Sequence, residues 1–179
     1  MKRIVLFVAV TICLLTSCTT NCNEKLKELY SKNQKALIRT QEVNGFMLTM
    51  TFLPSRLLPK YGEAEHQKDS TAYYYFKLQV QCPPSTPRIN TVSLNYGLDS
   101  LFSARDSILS IPTLVEPVIT GRQQFYEYLL VFTPEDFEKD PRLKVFFLDR
   151  LFTNTRLAFE FDRSIIEEIE TLSCYATKA

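Results

Sequence analysis

The chain of 179 residues reads as a mainly β protein: a β-sandwich of six to seven strands, immunoglobulin-like in one version, with an N-terminal and a C-terminal helix. Three observations predict this. Apolar residues alternate with period two in segment after segment between Gly45 and Phe161, which puts one set of side chains on a single strand face. These segments are short, rich in Phe and Tyr, and broken by Pro- and Gly-bearing connections, as in sandwich domains. Helical spacing recurs only near the two ends of the chain.

The elements follow in order. Leu26, Leu29, Tyr30, Asn33 and Leu37 share a helical spacing, which predicts a helix over residues 24 to 42 with Asn23 as its N-cap and Lys, Glu and Gln opposite. In "GFMLTMTFLP", Phe46, Leu48, Met50 and Phe52 fall on one face and Met47, Thr49 and Thr51 on the other. "TAYYYFKLQVQ" repeats the alternation, with Ala72, Tyr74, Phe76, Leu78 and Val80 inward. "INTVSLNYG" predicts a third strand, while "LDSLFSARDSILSIP" fits either a helical turn at Leu98, Leu101 and Phe102 or a short strand at 108–111. Pro112 and Pro117 hold "TLVEPVITG" open as an edge or a crossover.

"QQFYEYLLVF" resumes clear strand character, and "TPEDFEKDP" predicts one helical turn with Thr133 capping and Pro134 at its first position. "LKVFFLD" and "RLAFEF" form a closing hairpin, after which Ser164 and Glu167 have the spacing of a capping box. Ile165, Ile166, Ile169 and Leu172 give the last helix one apolar face. The immunoglobulin signature of Cys, Trp and Cys is not met, since the chain has no Trp.

The leader raises the clearest functional expectation. Lys2 and Arg3 precede the apolar run Ile4 to Leu15, which has the layout of a secretory signal and is short of the roughly 20 residues of a spanning helix. Leu15-Thr16-Ser17-Cys18 then supplies an aliphatic residue, two small residues and a cysteine. This stretch resembles the lipobox of bacterial lipoproteins. Cys13 follows bulky Ile12, and Cys22 follows Asn21, so neither fits as well.

The resemblance implies that residues 1–17 are removed and that Cys18 becomes an acylated N-terminus, held by two or three chains where one would bind only marginally. Membrane lipid is then a partner through Cys18. Thr19 stands where an aspartate would favour inner-membrane retention, so the implied location is the bacterial cell envelope, outer membrane, facing the periplasm. The expected organisation is signal peptide 1–17, lipidated terminus, tether and helix 18–43, sandwich 44–163, and helix and tail 164–179.

Composition bounds the remaining function classes. The full chain has 21 Lys+Arg against 20 Asp+Glu; losing Lys2 and Arg3 leaves 19 against 20, a net of −1, which does not resemble a nucleic-acid-binding polycation. Lys25, Lys27 and Lys32 read as a solvated helix face. Cys22, Cys82 and Cys174 remain after lipidation; an odd number leaves at least one unpaired or bridged to another chain, and no pair is chosen by spacing.

Four glycines cannot build a Gly-rich phosphate loop, and no G-x-S-x-G elbow is present. The single histidine, His66, lies in the long connection Pro54 to Ser70 near Glu63, Glu65 and Asp69, without a standard metal spacing. No catalytic residue, metal site or cofactor is therefore assigned. Tyr73 and Tyr75 alternate with Tyr74 and Phe76, and Tyr126 and Tyr128 with Phe125 and Leu129. Were Tyr73, Tyr75, Tyr126 and Tyr128 to share an exposed face, it would suit a sugar or a protein; the other reading is that both sheet faces are covered.

The functional expectation is a membrane-anchored lipoprotein whose non-enzymatic sandwich domain binds a protein or envelope component. The alternatives are a carbohydrate-binding module using the tyrosine face and a hydrolytic enzyme.

Overall fold

The computed structural model describes residues 21–55, 58, 73–84, 97–106, 110–118 and 124–175. Helix α1 (Asn21–Leu37) is followed by β1 (Ile38–Val43), β2 (Phe46–Leu53), β3 (Tyr74–Gln81), a 3-10 turn at Asp99–Leu101, β4 (Phe102–Ser103), β5 (Leu114–Val118) and β6 (Phe125–Phe132). A second 3-10 turn at Pro134–Asp136 leads to β7 (Arg142–Asp149), β8 (Thr155–Asp162) and helix α2 (Arg163–Tyr175). The strands form two antiparallel sheets, β1-β2-β3-β6-β5 and β4-β7-β8. The result is the mainly β sandwich with terminal helices that the periodicity predicts, with eight strands among the described residues, divided five and three, where six to seven are expected.

The first helix is shorter than its sequence suggests. It begins before Asn23, so Asn23 is not its N-cap, and it stops at Leu37, where Ile38–Val43 becomes β1. The reason lies at Asn44-Gly45. Both residues have positive φ, 53° and 80°, the conformation of a two-residue hairpin turn whose twist matches that of its flanking strands. Val43 pairs with Phe46 across it and Ile38 with Thr51, so ladder bonds take the six residues from the helix. β1 thus belongs to the sandwich, and the boundary expected at residue 43 falls at 37.

Between the sheets, the even-numbered residues of β2, β3 and β6 meet the odd-numbered residues of β7 and β8. Leu48, Met50, Phe52, Phe76, Leu78, Val80, Leu130 and Phe132 are fully buried on one side, as are Leu143, Val145, Phe147 and Phe159 on the other. Phe76 sits at the centre, its ring 5.5 Å from Phe52, 6.1 Å from Phe132, 6.1 Å from Phe137 and 5.3 Å from Phe161. These are edge and tilted contacts in the range favoured by aromatic quadrupoles. Leu26 and Leu37 of α1 and Ile166 and Ile169 of α2 complete the same core.

The remaining elements show how local chemistry closes the fold. Pro134 opens its turn, Asp136 accepts from the Thr133 N–H at 2.7 Å, and the turn drives Phe137 into the core. Asp162, not Ser164, caps α2: its carboxylate accepts from the Ser164 N–H at 2.9 Å and hydroxyl at 2.7 Å, and the hydroxyl bond, followed by backbone bonds, lowers its pKa. Arg39 and Gln41 of β1 donate to the Glu160 and Ala158 carbonyls on the free edge of β8, at 2.6 and 2.7 Å. Two side chains thereby satisfy an edge that would otherwise be open to pairing.

β5 is an edge strand, with Pro117 opposite Tyr128. The segment at Leu98–Phe102 resolves into a 3-10 turn followed by two strand residues. The third strand expected at "INTVSLNYG" and most of the connection between Pro54 and Ser70 lie outside the described residues.

Candidate functional site

The four tyrosines do not share a face. In the β3–β6 ladder Tyr75 pairs with Val131, whereas Leu78 pairs with Tyr128 and Val80 with Tyr126. Directly paired residues point the same way, so Tyr73 and Tyr75 lie on the outer side and Tyr126 and Tyr128 on the inner side. Tyr128 is buried, and Tyr126 packs on Phe152 with ring centroids 5.3 Å apart. Tyr73 and Tyr75 are half-buried and stand edge to face at 6.5 Å. The expected tyrosine platform is therefore corrected: the pleat of β6 places Val131 beside Tyr75 and puts Leu129, Glu127 and Phe125, not Tyr126 and Tyr128, on that same outer side, and the carbohydrate reading loses the geometry it required.

Cys18 and His66 lie outside the described residues. Among the described residues no group of three His, Cys, Asp or Glu side chains is placed to hold a metal, and no helix is long and apolar enough to cross a membrane. Cys82 is an unpaired, buried thiol whose pKa is raised by burial and then by Asp149. Asp149 ends β7 fully buried, and its carboxylate accepts from the Leu151, Phe152 and Thr153 N–H groups at 2.8–2.9 Å and from the Thr153 hydroxyl at 2.6 Å. Its role is to shape the β7–β8 turn.

Among the described residues a concave surface lies elsewhere, on the outer side of the small sheet. Phe146 and Leu148 project outward from β7, Arg156 from β8, and Asp106 and Ile111 approach across β4. Together with Ser100 and Ser103 they line an open cleft of about 290 Å³. Ile111 and Leu148 are 42% and 39% exposed. The Arg156 guanidinium lies 5.0 Å from the centroid of the Phe146 ring and pairs with Asp106.

A smaller hollow of about 160 Å³ adjoins it, sharing Asp106 and Phe146 and continuing to Arg105, Glu138, Asp140, Arg142 and Lys144. Arg105 is braced by the Asp136 and Glu135 carbonyls at 2.8 and 2.7 Å. Arg142 bonds Glu160 at 2.9 Å, which raises its pKa. The trough therefore runs from an apolar end to a charged end of mixed sign.

Such a surface can take apolar side chains and hydrogen-bond their backbone. Its volume is at or below the low end of small-molecule pockets, about 300 Å³. None of these residues stands out in the sequence as part of a motif. The signal present is "VFFL" in β7: four consecutive apolar residues put Phe146 and Leu148 on the face opposite Val145 and Phe147, an exception to the in-out alternation of a half-solvated sheet.

Compared with known protein families, curated proteins and solved structures, the chain matches none.

Proposed function

We propose that this chain is a lipid-anchored protein of the bacterial envelope whose sandwich domain works by binding a protein segment in the cleft beside Phe146 and Arg156. The observation that carries the binding reading is the exposure of Ile111 and Leu148 around a concavity with Arg156 stacked on its wall. Exposed apolar side chains grouped in a hollow with a polar rim are the common form of a protein-recognition surface. The anchor reading is supported by Leu15-Thr16-Ser17-Cys18 and by the two residues that separate Cys18 from the start of α1 at Asn21. Three Cα steps span at most about 11 Å, so the folded domain works close to the bilayer.

Crosslinking in intact envelopes tests the cleft. Wild type is expected to give a reproducible adduct that Leu148→Asp abolishes and that Met47→Asp, an exposed position on the other sheet, leaves unchanged. Equal adducts from all three would overturn the cleft assignment. The anchor is tested separately by Cys18→Ser, which is expected to release the chain from the membrane fraction and remove the acyl mass.

A further inference from the structure

The solvent side of α1 carries charge that nothing described in the domain uses. Lys25, Lys27, Lys32 and Lys35 are all exposed, with Glu24 and Glu28 between them, while Leu26 and Leu37 are buried beneath. At about 3.6 residues per turn, Lys25 and Lys32 fall at one margin of the exposed face, Lys27 at the other, and Lys35 along its middle beside Glu24 and Glu28. The ion pairs found among the described residues involve Arg142, Lys144, Arg156 and Arg163; none uses a lysine of α1.

The rest of the chain has the opposite sign. Residues 21–37 carry four basic against two acidic side chains, a net of +2, whereas residues 38–179 carry fifteen basic against eighteen acidic, a net of −3. The acidic count includes Glu167 and Glu168, exposed on α2, the helix that packs against α1. A domain with this asymmetry, placed near an anionic surface, is turned so that its basic side faces that surface and the remainder points away.

We propose that the exposed face of α1 lies on the anionic headgroups of the bilayer, as a second, electrostatic attachment that orients the domain. The proposal rests on the lipid-anchor reading, which sets α1 beside the bilayer, and adds to it a contact made by the protein itself. Four lysines on an amphipathic helix next to a membrane attachment point are at the threshold for recognising anionic lipid. The occupant is a phospholipid surface bearing phosphate groups of net negative charge. With α1 flat on that surface every lysine comes within a Debye length, about 10 Å at 0.1 M salt. A helix standing on end would leave Lys35 well beyond it.

The test uses the full, lipidated chain reconstituted into vesicles of phosphatidylcholine alone or mixed with phosphatidylglycerol. Acylation of each lysine by a water-soluble amine reagent is followed by peptide mass spectrometry. Lys25, Lys27, Lys32 and Lys35 are expected to react about tenfold more slowly on the phosphatidylglycerol vesicles, an effect erased by high salt, while Lys139 and Lys144 react equally on both. Equal reaction of the α1 lysines on the two vesicles would overturn the proposal. So would protection seen only in native envelopes, because a protein would then be covering the helix.

A second arm keeps the two readings apart. The Cys18→Ser chain is expected to sediment with phosphatidylglycerol vesicles in a salt-sensitive way, and replacing the four lysines by Gln is expected to reduce this about tenfold without altering the far-ultraviolet spectrum. Lipidated chain that failed to float with phosphatidylcholine vesicles would refute the anchor. Unchanged sedimentation after the four Lys→Gln substitutions would refute the role of α1.

Discussion

Removing a polar atom from Tyr128 is expected to make the protein more stable. Tyr128 is 1% exposed, and its hydroxyl finds no hydrogen-bond partner among the described residues. The ring opposes Leu78 across the β3–β6 ladder and is part of the core. A buried hydroxyl left unbonded has given up its hydration for nothing, at a cost of about 1–3 kcal/mol. Phe keeps the ring and discards only that oxygen. Tyr128→Phe should therefore gain about 1–3 kcal/mol at neutral pH. With a urea slope of about 2 kcal/mol per molar, the unfolding midpoint rises by about 0.5–1.5 M at constant slope.

Alkali supplies an independent check. Burial, then the nearby Tyr126, Asp149 and Cys82, push the Tyr128 pKa well above its ordinary 10.0. A folded-state pKa above the unfolded one gives stability that is intact below pH 10 and is lost as the pH climbs toward the folded value, because only the unfolded chain ionises there. At pH 11 this loss is about 1.4 kcal/mol. The Phe variant lacks it, so its advantage over wild type should widen by that amount between neutral pH and pH 11. A variant less stable than wild type at neutral pH would mean that the hydroxyl is bonded in the native protein, and the reasoning would fail.

Phe76→Ala, which empties the meeting point of four other rings, should cost about 3–5 kcal/mol in urea unfolding; a loss under 1 kcal/mol would show that the sheets do not meet there. Glu170 accepts from the Ser55 N–H at 2.9 Å and hydroxyl at 2.6 Å, yet burial raises its pKa above 4.5. Its folded form holds a proton more tightly than the unfolded chain, so stability rises on acidification from neutral pH toward about 5. Glu170→Gln should flatten that part of the pH profile, and an unchanged profile would count against the burial argument. Cys82, buried with a raised pKa, should react with a thiol reagent only at the rate of unfolding; rapid reaction in the native protein would contradict its burial.

The two-residue alternation is enough to find β2, β3, β6, β7 and β8, and in β2 and β3 to name the buried side chains, Leu48, Met50, Phe52, Tyr74, Phe76, Leu78 and Val80 among them, because each strand carries its own face pattern. β1 is hidden for a local reason: the helical spacing of Leu26, Leu29, Tyr30 and Leu37 runs up to the residue before the strand, and only the Asn44-Gly45 dipeptide, a strong hairpin signal, reveals that the chain has already turned to strand. At α2 the cap expected at Ser164 is made two residues earlier, by Asp162. Asp162 prevails because β8 runs on to that residue, which puts its carboxylate next to the first free N–H groups of the helix.

The tyrosine platform failed for a different reason, one that bears on the proposed cleft. Each strand states which residues share a side, but not which side is inward when both are apolar, as in "QQFYEYLLVF". The choice is made by register: Tyr128 opposes Leu78, which is buried in the same core as Val145 and Phe159, so Tyr126 and Tyr128 must turn inward and Leu129 outward. "LKVFFLD" poses the same ambiguity, with a different consequence. There Phe147 is taken into the core by stacking on Phe102 at 4.6 Å, and its neighbours Phe146 and Leu148 are forced to the outer surface regardless of their hydrophobicity. An outward Phe and Leu can be tolerated only if something offsets their exposure. Arg156 covers part of the Phe146 ring, whereas Leu148 and Ile111 stay open to solvent, and it is this uncovered remainder that the proposed protein segment would bury.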